Sequence, residues 1–269
     1  MLSYVELLRL NVCALAVLGV LVGGLVIGLV SPIPVSFLVA MLVTLLISGA
    51  GNAINDYYDY EVDSINKRHR PIPSARITRE NTKMFSAVLF LMGNAFAVAF
   101  LNPIAAAFVI LNSALLFGYS WKLKATPFGH FIDSWLAASV FILPGLVLSD
   151  LNSSILLLAA IAFFANLSRE LMKGIEDYSA DRQTGKKTFV VNFGLRVSKS
   201  FAKISAVVAM IMSFLPYYFR IFGMKYLVIV LIADAMLVYS FQKRATYAQA
   251  VMKSSMFVAM LAFLVGALL

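Results

Sequence analysis

Apolar residues in this chain gather into nine helix-length blocks, near positions 10–30, 35–58, 84–101, 104–120, 130–149, 153–175, 201–219, 226–242 and 252–269. An α-helix needs roughly 20 predominantly apolar residues to cross a bilayer. The pattern therefore predicts an all-α fold, a polytopic membrane bundle of nine transmembrane helices. No stretch between the blocks offers a soluble domain, so the expectation is a single integral-membrane domain over residues 1–269.

The breaks between blocks alternate in character. Those at Ser31–Pro34, Asn102–Pro103, Ser149–Ser154 and Arg220–Lys225 are short and carry few charges, and those between them are longer and basic. Segments 61–83, 119–130, 169–203 and 243–253 hold 6, 2, 8 and 3 Lys and Arg residues, 19 of the 22 in the chain. The positive-inside bias places these loops, and the N-terminus with Arg9, in the cytoplasm. Nine spans then leave the C-terminus outside a cell-membrane, multi-pass protein. The first block is too long for the apolar core of a signal peptide and is expected to remain as a span.

Composition strengthens the membrane reading. The 269 residues are 61% hydrophobic and 13% charged, with a mean hydropathy of +0.89, more apolar surface than a soluble domain of this size could cover. The net charge of +9 sits in juxtamembrane loops, which favours anionic lipid headgroups or phosphorylated substrates over nucleic acid. Cys13 is alone, so no disulfide forms within the chain, and no feature signals an obligate protein partner.

The chemistry is announced at the end of the second block by Asn55-Asp56-Tyr57-Tyr58-Asp59-Tyr60-Glu61-Val62-Asp63. Carboxylates packed together at a bilayer are costly and need a compensating partner. At about 100° per residue, Asn52, Asp56, Asp59 and Asp63 fall within an arc of about 60° if the helix runs through them, with Asn55 at its edge. A second acidic segment, Arg169 to Asp181, ends the sixth block, and there Glu170, Asp177 and Asp181 span about 40° with Lys173 flanking. Two even-numbered helices thus end in carboxylates on one membrane face.

Hard oxygen ligands of this kind suit Mg²⁺, which is typically held by one or two carboxylates together with substrate phosphates. His69 and His130 are too few and too scattered for zinc. The implied substrate carries a diphosphate. A plain solvated helix end remains the better reading for Glu61, Glu80 and Glu176 singly.

Cations stand opposite the acids. Pro71 and Pro73 prevent a regular helix in Asn66–Ile77 and fix a turn, which holds Arg70 and Arg76 where a guanidinium can bind phosphate oxygens in pairs. Lys67, Arg169 and Lys173 are further substrate-binding candidates. The stretch Tyr119–Pro127 adds a phenol, Tyr119, and two cations, Lys122 and Lys124, beside the same face; Lys122 is the candidate to grip phosphate, and for Lys124 phosphate binding and a topology anchor with an aromatic belt are equally open. Asp133 and Asp234, lone acids within or beside apolar blocks, are open to lining a cavity or to satisfying a buried partner, with the structural reading favoured.

These motifs carry a resemblance: the chain is identified as a member of the UbiA superfamily of intramembrane prenyltransferases, over nearly its whole length. The acidic run followed by Arg70-Pro71-Ile72-Pro73-Ser74 is the specific part. The resemblance implies an active site at the cytoplasmic face in which Asn55, Asp56, Asp59, Asp63, Asp177 and Asp181 bind Mg²⁺ and the diphosphate of an isoprenoid donor. Glu170 stands where some members have a further Asp. Asp59, Asp177, Arg70 and Lys122 are the expected catalytic residues.

Within the superfamily, Arg70–Ile77 and Arg169–Asp177 are most similar to the archaeal digeranylgeranylglyceryl phosphate synthases, although Ala75 replaces a glycine common in that loop. That similarity implies geranylgeranyl diphosphate as donor and the free hydroxyl of geranylgeranylglyceryl phosphate as acceptor, giving the second ether of archaeal lipids. An aromatic prenyltransferase making a quinone or haem precursor is the alternative within the superfamily. Ionisation of an allylic diphosphate would be assisted by Mg²⁺, Arg and Lys, in a dry cavity that the 21 Phe and 11 Tyr residues can help to wall.

Two rivals fit less well. A cation-coupled transporter would place acids near the middle of its spans, whereas here they gather at the cytoplasmic ends. A CDP-alcohol phosphotransferase would need Asp-Gly and Ala-Arg elements within one acidic motif, and Asp63 is followed by Ser64.

Overall fold

The computed structural model describes residues 2–29 and 31–269. These residues form eleven α-helices and one short 3₁₀ turn, with no strand among them. In chain order the helices are α1 (Leu2–Leu8), α2 (Leu10–Val26), α3 (Val35–Tyr58), α4 (Tyr60–Asn66), α5 (Arg79–Phe100), α6 (Pro103–Trp121), α7 (Gly129–Val147), α8 (Ser153–Gln183), α9 (Phe189–Tyr218), α10 (Met224–Ser240) and α11 (Ala245–Leu268).

Nine of these helices stand where nine apolar blocks were expected. Seven of them, α3, α5, α6, α7, α8, α9 and α11, are long and apolar enough to cross a membrane. The other two, α2 and α10, have 17 residues each, about 26 Å of helix against a hydrocarbon core of about 30 Å. Two boundaries move outward. The sixth helix continues to Gln183 and carries the second acidic segment with it, and α9 begins at Phe189, where the Thr188 side chain accepts a hydrogen bond from the Val191 N–H. Gly194 interrupts α9 with φ 80°.

Each of the nine apolar helices packs on the next one along the chain, and α2 closes the bundle by touching α3, α7, α8 and α11. Two apolar cores flank α7. One joins Val20, Phe37, Val43, Ile47 and Leu143, and the other joins Phe141, Leu158, Tyr226 and Phe263. Outward-facing Leu91, Ile104 and Ile211 are exposed, as a lipid-facing surface requires. The chain alternates direction, so the C-terminal ends of α3, α6 and α8 and the N-terminal ends of α5, α7 and α9 meet at the basic end of the bundle.

Candidate active site

The first acidic run does not behave as one stripe. Helix α3 ends at Tyr58, Asp59 takes φ −85° and ψ 2°, and α4 restarts at Tyr60. The i to i−4 bonds nevertheless persist, from the Asp59 N–H to Asn55 O at 2.9 Å and from the Asp63 N–H to Asp59 O at 2.8 Å. The small deflection divides the acids. Asp56 and Asp63 are buried and turn towards Arg70, whereas Asp59 keeps accessible surface and turns towards Lys124.

Arg70 donates through Nη1 to Asp56 Oδ1 at 3.1 Å and makes a shorter contact with Asp63 Oδ2. Its placement comes from the proline loop. Ile72 and Ile77 are buried with Leu7 and Ala53, which pins the loop beneath α1. The Arg76 N–H bonds to Pro71 O and the Ala75 N–H to Ile72 O, both at 3.0 Å, the paired bonds that close a Schellman turn. Ala75 occupies the left-handed position of that turn, with φ 58°.

Arg76, expected beside Arg70, points elsewhere. It forms a two-armed contact with Glu6 at 2.6 and 3.1 Å and reaches His69 O at 2.5 Å. The Glu6 hydrogen bond pushes its pKa up further, so it stays charged. Lys67 lies 3.6 Å from Asp63 and is half exposed.

The sequence reading missed Arg9. The chain turns through a left-handed residue at Arg9, φ 50°, between α1 and α2, and the guanidinium donates to Asp56 Oδ1. Asn52, the first member of the expected stripe, instead donates to Leu8 O at 2.8 Å and fastens the same junction. A basic residue near an N-terminus is fully explained by topology, and 47 positions separate the pair, so no local spacing betrays it.

The two lysines between α6 and α7 are placed differently. Lys124, on the 3₁₀ turn Leu123–Ala125, donates to Asp59 Oδ1 and to Asn55 Oδ1, the latter at 3.2 Å. Lys122 lies over the Trp121 ring, 4.4 Å from its centroid. Gly129, the first residue of α7, makes room for the turn: a Cβ there would sit 2.9 Å from both Cα and O of Lys124.

The second acidic segment lies on unbroken helix. Glu170 is buried, accepting from Arg169 at 2.6 Å and from Lys173 at 3.3 Å. Asp181 is buried under Lys186, whose Nζ donates to Oδ1 at 2.8 Å and whose N–H bonds to Asp181 O at 3.0 Å. Gly185, φ 70°, supplies the reversal that brings Lys186 back. The Lys187 N–H then bonds to Ala125 O at 2.9 Å, tying the α8–α9 loop to the turn that carries Lys124. Asp177, by contrast, is exposed.

Tyr119 connects the two regions. It stands within electrostatic reach of Asp59 on one side and of Asp133, Glu170 and Arg169 on the other. Other aromatic residues near the acids are engaged: Arg79 lies 4.9 Å from the Tyr57 ring centre and 4.8 Å from that of Tyr60, and Tyr58 packs edge-on against Phe117.

Among the described residues no three carboxylate, His or Cys groups converge into a metal cage. Asp56, Asp63, Asp59 and Asp181 are each held by an arginine or lysine. The donor set still fits Mg²⁺, because that ion needs only one or two carboxylates when substrate phosphates and water complete its shell. Asp59 and Asp177 keep accessible surface, and Asp59 Oδ2 accepts from Asn55 at 2.9 Å.

A helical bundle whose two carboxylate-ended helices meet rows of Arg and Lys at one face has clear relatives. The profile of the UbiA prenyltransferase family matches residues 16–265. The chain belongs to the UbiA prenyltransferase family. Among curated UbiA relatives, the digeranylgeranylglyceryl phosphate synthase of Methanopyrus kandleri is 37% identical over 273 residues, covering 99% of each chain. That of Methanospirillum hungatei is 34% identical over 280 residues, covering 99% of this chain and 98% of its own. A solved structure reported for digeranylgeranylglyceryl phosphate synthase in membranes superposes with a TM-score of 0.79 at 32% identity, over 98% of this chain and 97% of that one. The UbiA homologue of Archaeoglobus fulgidus bound to DMAPP and Mg²⁺ shares the fold, with a TM-score of 0.66 at 17% identity, over 96% of this chain and 99% of that one.

Proposed function

We propose that this UbiA-family prenyltransferase moves a geranylgeranyl group from geranylgeranyl diphosphate to the free hydroxyl of geranylgeranylglyceryl phosphate, releasing pyrophosphate. The observation that carries the reading is the full-length similarity, in sequence and in fold, to digeranylgeranylglyceryl phosphate synthases. The site supports it independently. It offers one set of cations around Asp56, Asp59 and Asp63 and a second set, Arg169 and Lys173, beside Tyr119. Two phosphorylated substrates need two such sets, whereas an aromatic carboxylic acid needs a single cation.

In this reading Asp59 and Asp177 hold Mg²⁺, with Asn55 and Asp181 beside them. When bound, the ion offsets the negative charge that develops on the departing diphosphate. Asp56 and Asp63 keep Arg70 and Arg9 aimed at the site, and Arg70, Lys124 and Lys186 donate to phosphate oxygens as their charge grows. Lys122 has only to leave the Trp121 face to join them. Arg169 and Lys173 hold the acceptor phosphate. The apolar bundle keeps water from the allylic cation until the acceptor oxygen reaches it.

The proposal extends to topology: nine spans in one integral-membrane domain, with α2 and α10 as the short pair, the N-terminus and the site cytoplasmic and the C-terminus outside. The deciding experiment supplies purified protein in detergent with Mg²⁺ and radiolabelled geranylgeranyl diphosphate, and offers geranylgeranylglyceryl phosphate and 4-hydroxybenzoate separately, each with an EDTA control. EDTA-sensitive transfer to the glyceryl phosphate alone is expected. Transfer to the aromatic ring alone would move the protein to the quinone-forming branch.

A further inference from the structure

Asp133 lies outside both acidic motifs, five residues into α7. Read from sequence it is a structural acid, but its surroundings are those of a reacting group. Oδ2 accepts a hydrogen bond from Asn166 Nδ2 at 3.0 Å, and the same amide reaches Ser134 Oγ at 3.5 Å. Oδ1 makes no protein hydrogen bond among the described residues, and it is not one of the buried polar atoms sealed away without a partner. Asp133 is half-buried, and its partner Asn166 stands one turn before Arg169 and Glu170 on α8. Tyr119 on α6 and Arg169, Glu170 and Lys173 on α8 stand within electrostatic reach of it. His130, one turn earlier on α7, faces the same Glu170 and Lys173.

Most other acids near the site are committed. Glu170 has one oxygen on Arg169 and the other on Lys173. Asp56 and Asp63 face guanidinium groups, and Asp59 and Asp181 face lysines. Asp177 stands exposed at the rim, and Asp234 accepts from Ser213 at 2.8 Å between α9 and α10. Asp133 alone combines a place beside the second cation set, an anchoring bond from a neutral amide and an oxygen left over.

We propose that Asp133 takes the proton from the acceptor hydroxyl. The inference rests on the reading that the acceptor is a glyceryl phosphate. In that molecule the free hydroxyl is on the carbon next to the one bearing the phosphate, so a phosphate held by Arg169 and Lys173 brings the hydroxyl towards the acid bonded to Asn166, one turn before Arg169 on the same helix. As the donor C1–O bond breaks, its electron pair leaves with the diphosphate. A lone pair of the acceptor oxygen forms the new C–O bond, and the proton of that oxygen passes to Oδ1 of Asp133. The oxygen becomes positive as the bond forms, which makes its proton strongly acidic, and a carboxylate is a sufficient base. Asn166 is the positioning residue: it holds Oδ2 and leaves Oδ1 free to take the proton.

The test uses the full chain in lipid nanodiscs with Mg²⁺, radiolabelled geranylgeranyl diphosphate and geranylgeranylglyceryl phosphate, and measures ether product and pyrophosphate together. Asp133→Asn is expected to lower the kcat for ether formation by about 10²-fold, the lower end for loss of a general base, with the donor KM changed less than about twofold. Pyrophosphate release should then outrun ether formation, because ionisation survives while capture fails. A variant within about threefold of wild type in ether formation, or one losing both products in proportion, overturns the inference. If Asp133→Asn does not fold, Asp133→Glu replaces it: a kcat loss of about tenfold with the same split is expected, and an unchanged rate overturns the inference. Wild type that ionises the donor without transfer to the glyceryl phosphate overturns the functional reading and this inference with it, an outcome distinct from an active wild type with an equally active variant.

Discussion

The ends of α3 and α8 present similar acids by different means. At α8 the helix is unbroken, and the partners of Glu170 and Asp181 come from one, three and five residues away: Arg169, Lys173 and Lys186. At α3 the helix breaks at Asp59, and beyond the half-exposed Lys67, four residues from Asp63, the partners arrive from three other elements: Arg9 from the α1–α2 turn, Arg70 from the proline loop and Lys124 from the 3₁₀ turn. The α8 end is local structure. The α3 end exists only when the tertiary fold delivers its cations, so it is more vulnerable to changes made far from it.

The largest effect removes what the ends share. Asp59→Ala and Asp177→Ala should each lower transfer by about 10³-fold, the loss of electrostatic assistance to the leaving diphosphate, and EDTA should do the same to wild type. Melting temperature in detergent should move little, since both side chains keep accessible surface. Full activity in both variants would remove Asp59 and Asp177 from the metal site.

The second contrast separates the ends. Arg70→Ala leaves two buried carboxylates, Asp56 and Asp63, without their shared guanidinium, and breaking such a pair costs about 3 kcal/mol or more. Lys186→Ala removes a partner that is 35% exposed from Asp181 and should cost less than about 1 kcal/mol. Thermal unfolding of the two variants side by side checks the difference. Equal shifts would mean that the α3 end is no more dependent on tertiary structure than the α8 end.

This asymmetry also explains what could be read from the chain alone. The helices, the basic face and both acidic motifs follow from block length and residue type. The geometry of α8 follows as well, because a helix that continues keeps its angular spacing. The break at Asp59 was not legible, for no proline or glycine marks it. The choice between Lys122 and Lys124 turned on a single 3₁₀ turn, and the identity of Arg9 as a partner of Asp56 turned on an αL residue in a sequence that looks like a topology signal. Asn166 was silent because an amide in an apolar helix has no signature until its neighbour Asp133 is seen.

Gly129 offers a smaller perturbation of the same dependence. A methyl group there meets the Lys124 backbone at 2.9 Å and Leu123 O at 3.0 Å, and backbone does not yield as a flexible side chain would. Gly129→Ala should displace the turn and lower kcat to the level of Lys124→Ala, about tenfold, which corresponds to about 1.4 kcal/mol in the barrier. Comparing the two variants and their double mutant tests the link: if both changes act through Lys124, the double mutant is no worse than either. Additive losses would show that Gly129 acts elsewhere.

The smallest effect runs in the stabilising direction and concerns the loop that carries Arg70. Ala75 sits at φ 58°, a left-handed conformation that costs an L-residue roughly 1–2 kcal/mol. Glycine removes that strain but loses more freedom on folding, about 0.5–1 kcal/mol relative to alanine. Ala75→Gly should therefore stabilise the protein by about 0.5–1 kcal/mol, a rise in melting temperature of a few degrees at most, with transfer unchanged. The bonds from Ala75 and Arg76 to Ile72 and Pro71 use backbone atoms alone, so the substitution leaves the turn and the aim of Arg70 intact. A fall in activity with a rise in stability would mean that the strain itself helps to direct Arg70 onto Asp56 and Asp63, making the loop a tensioned part of the α3 end rather than a passive mount.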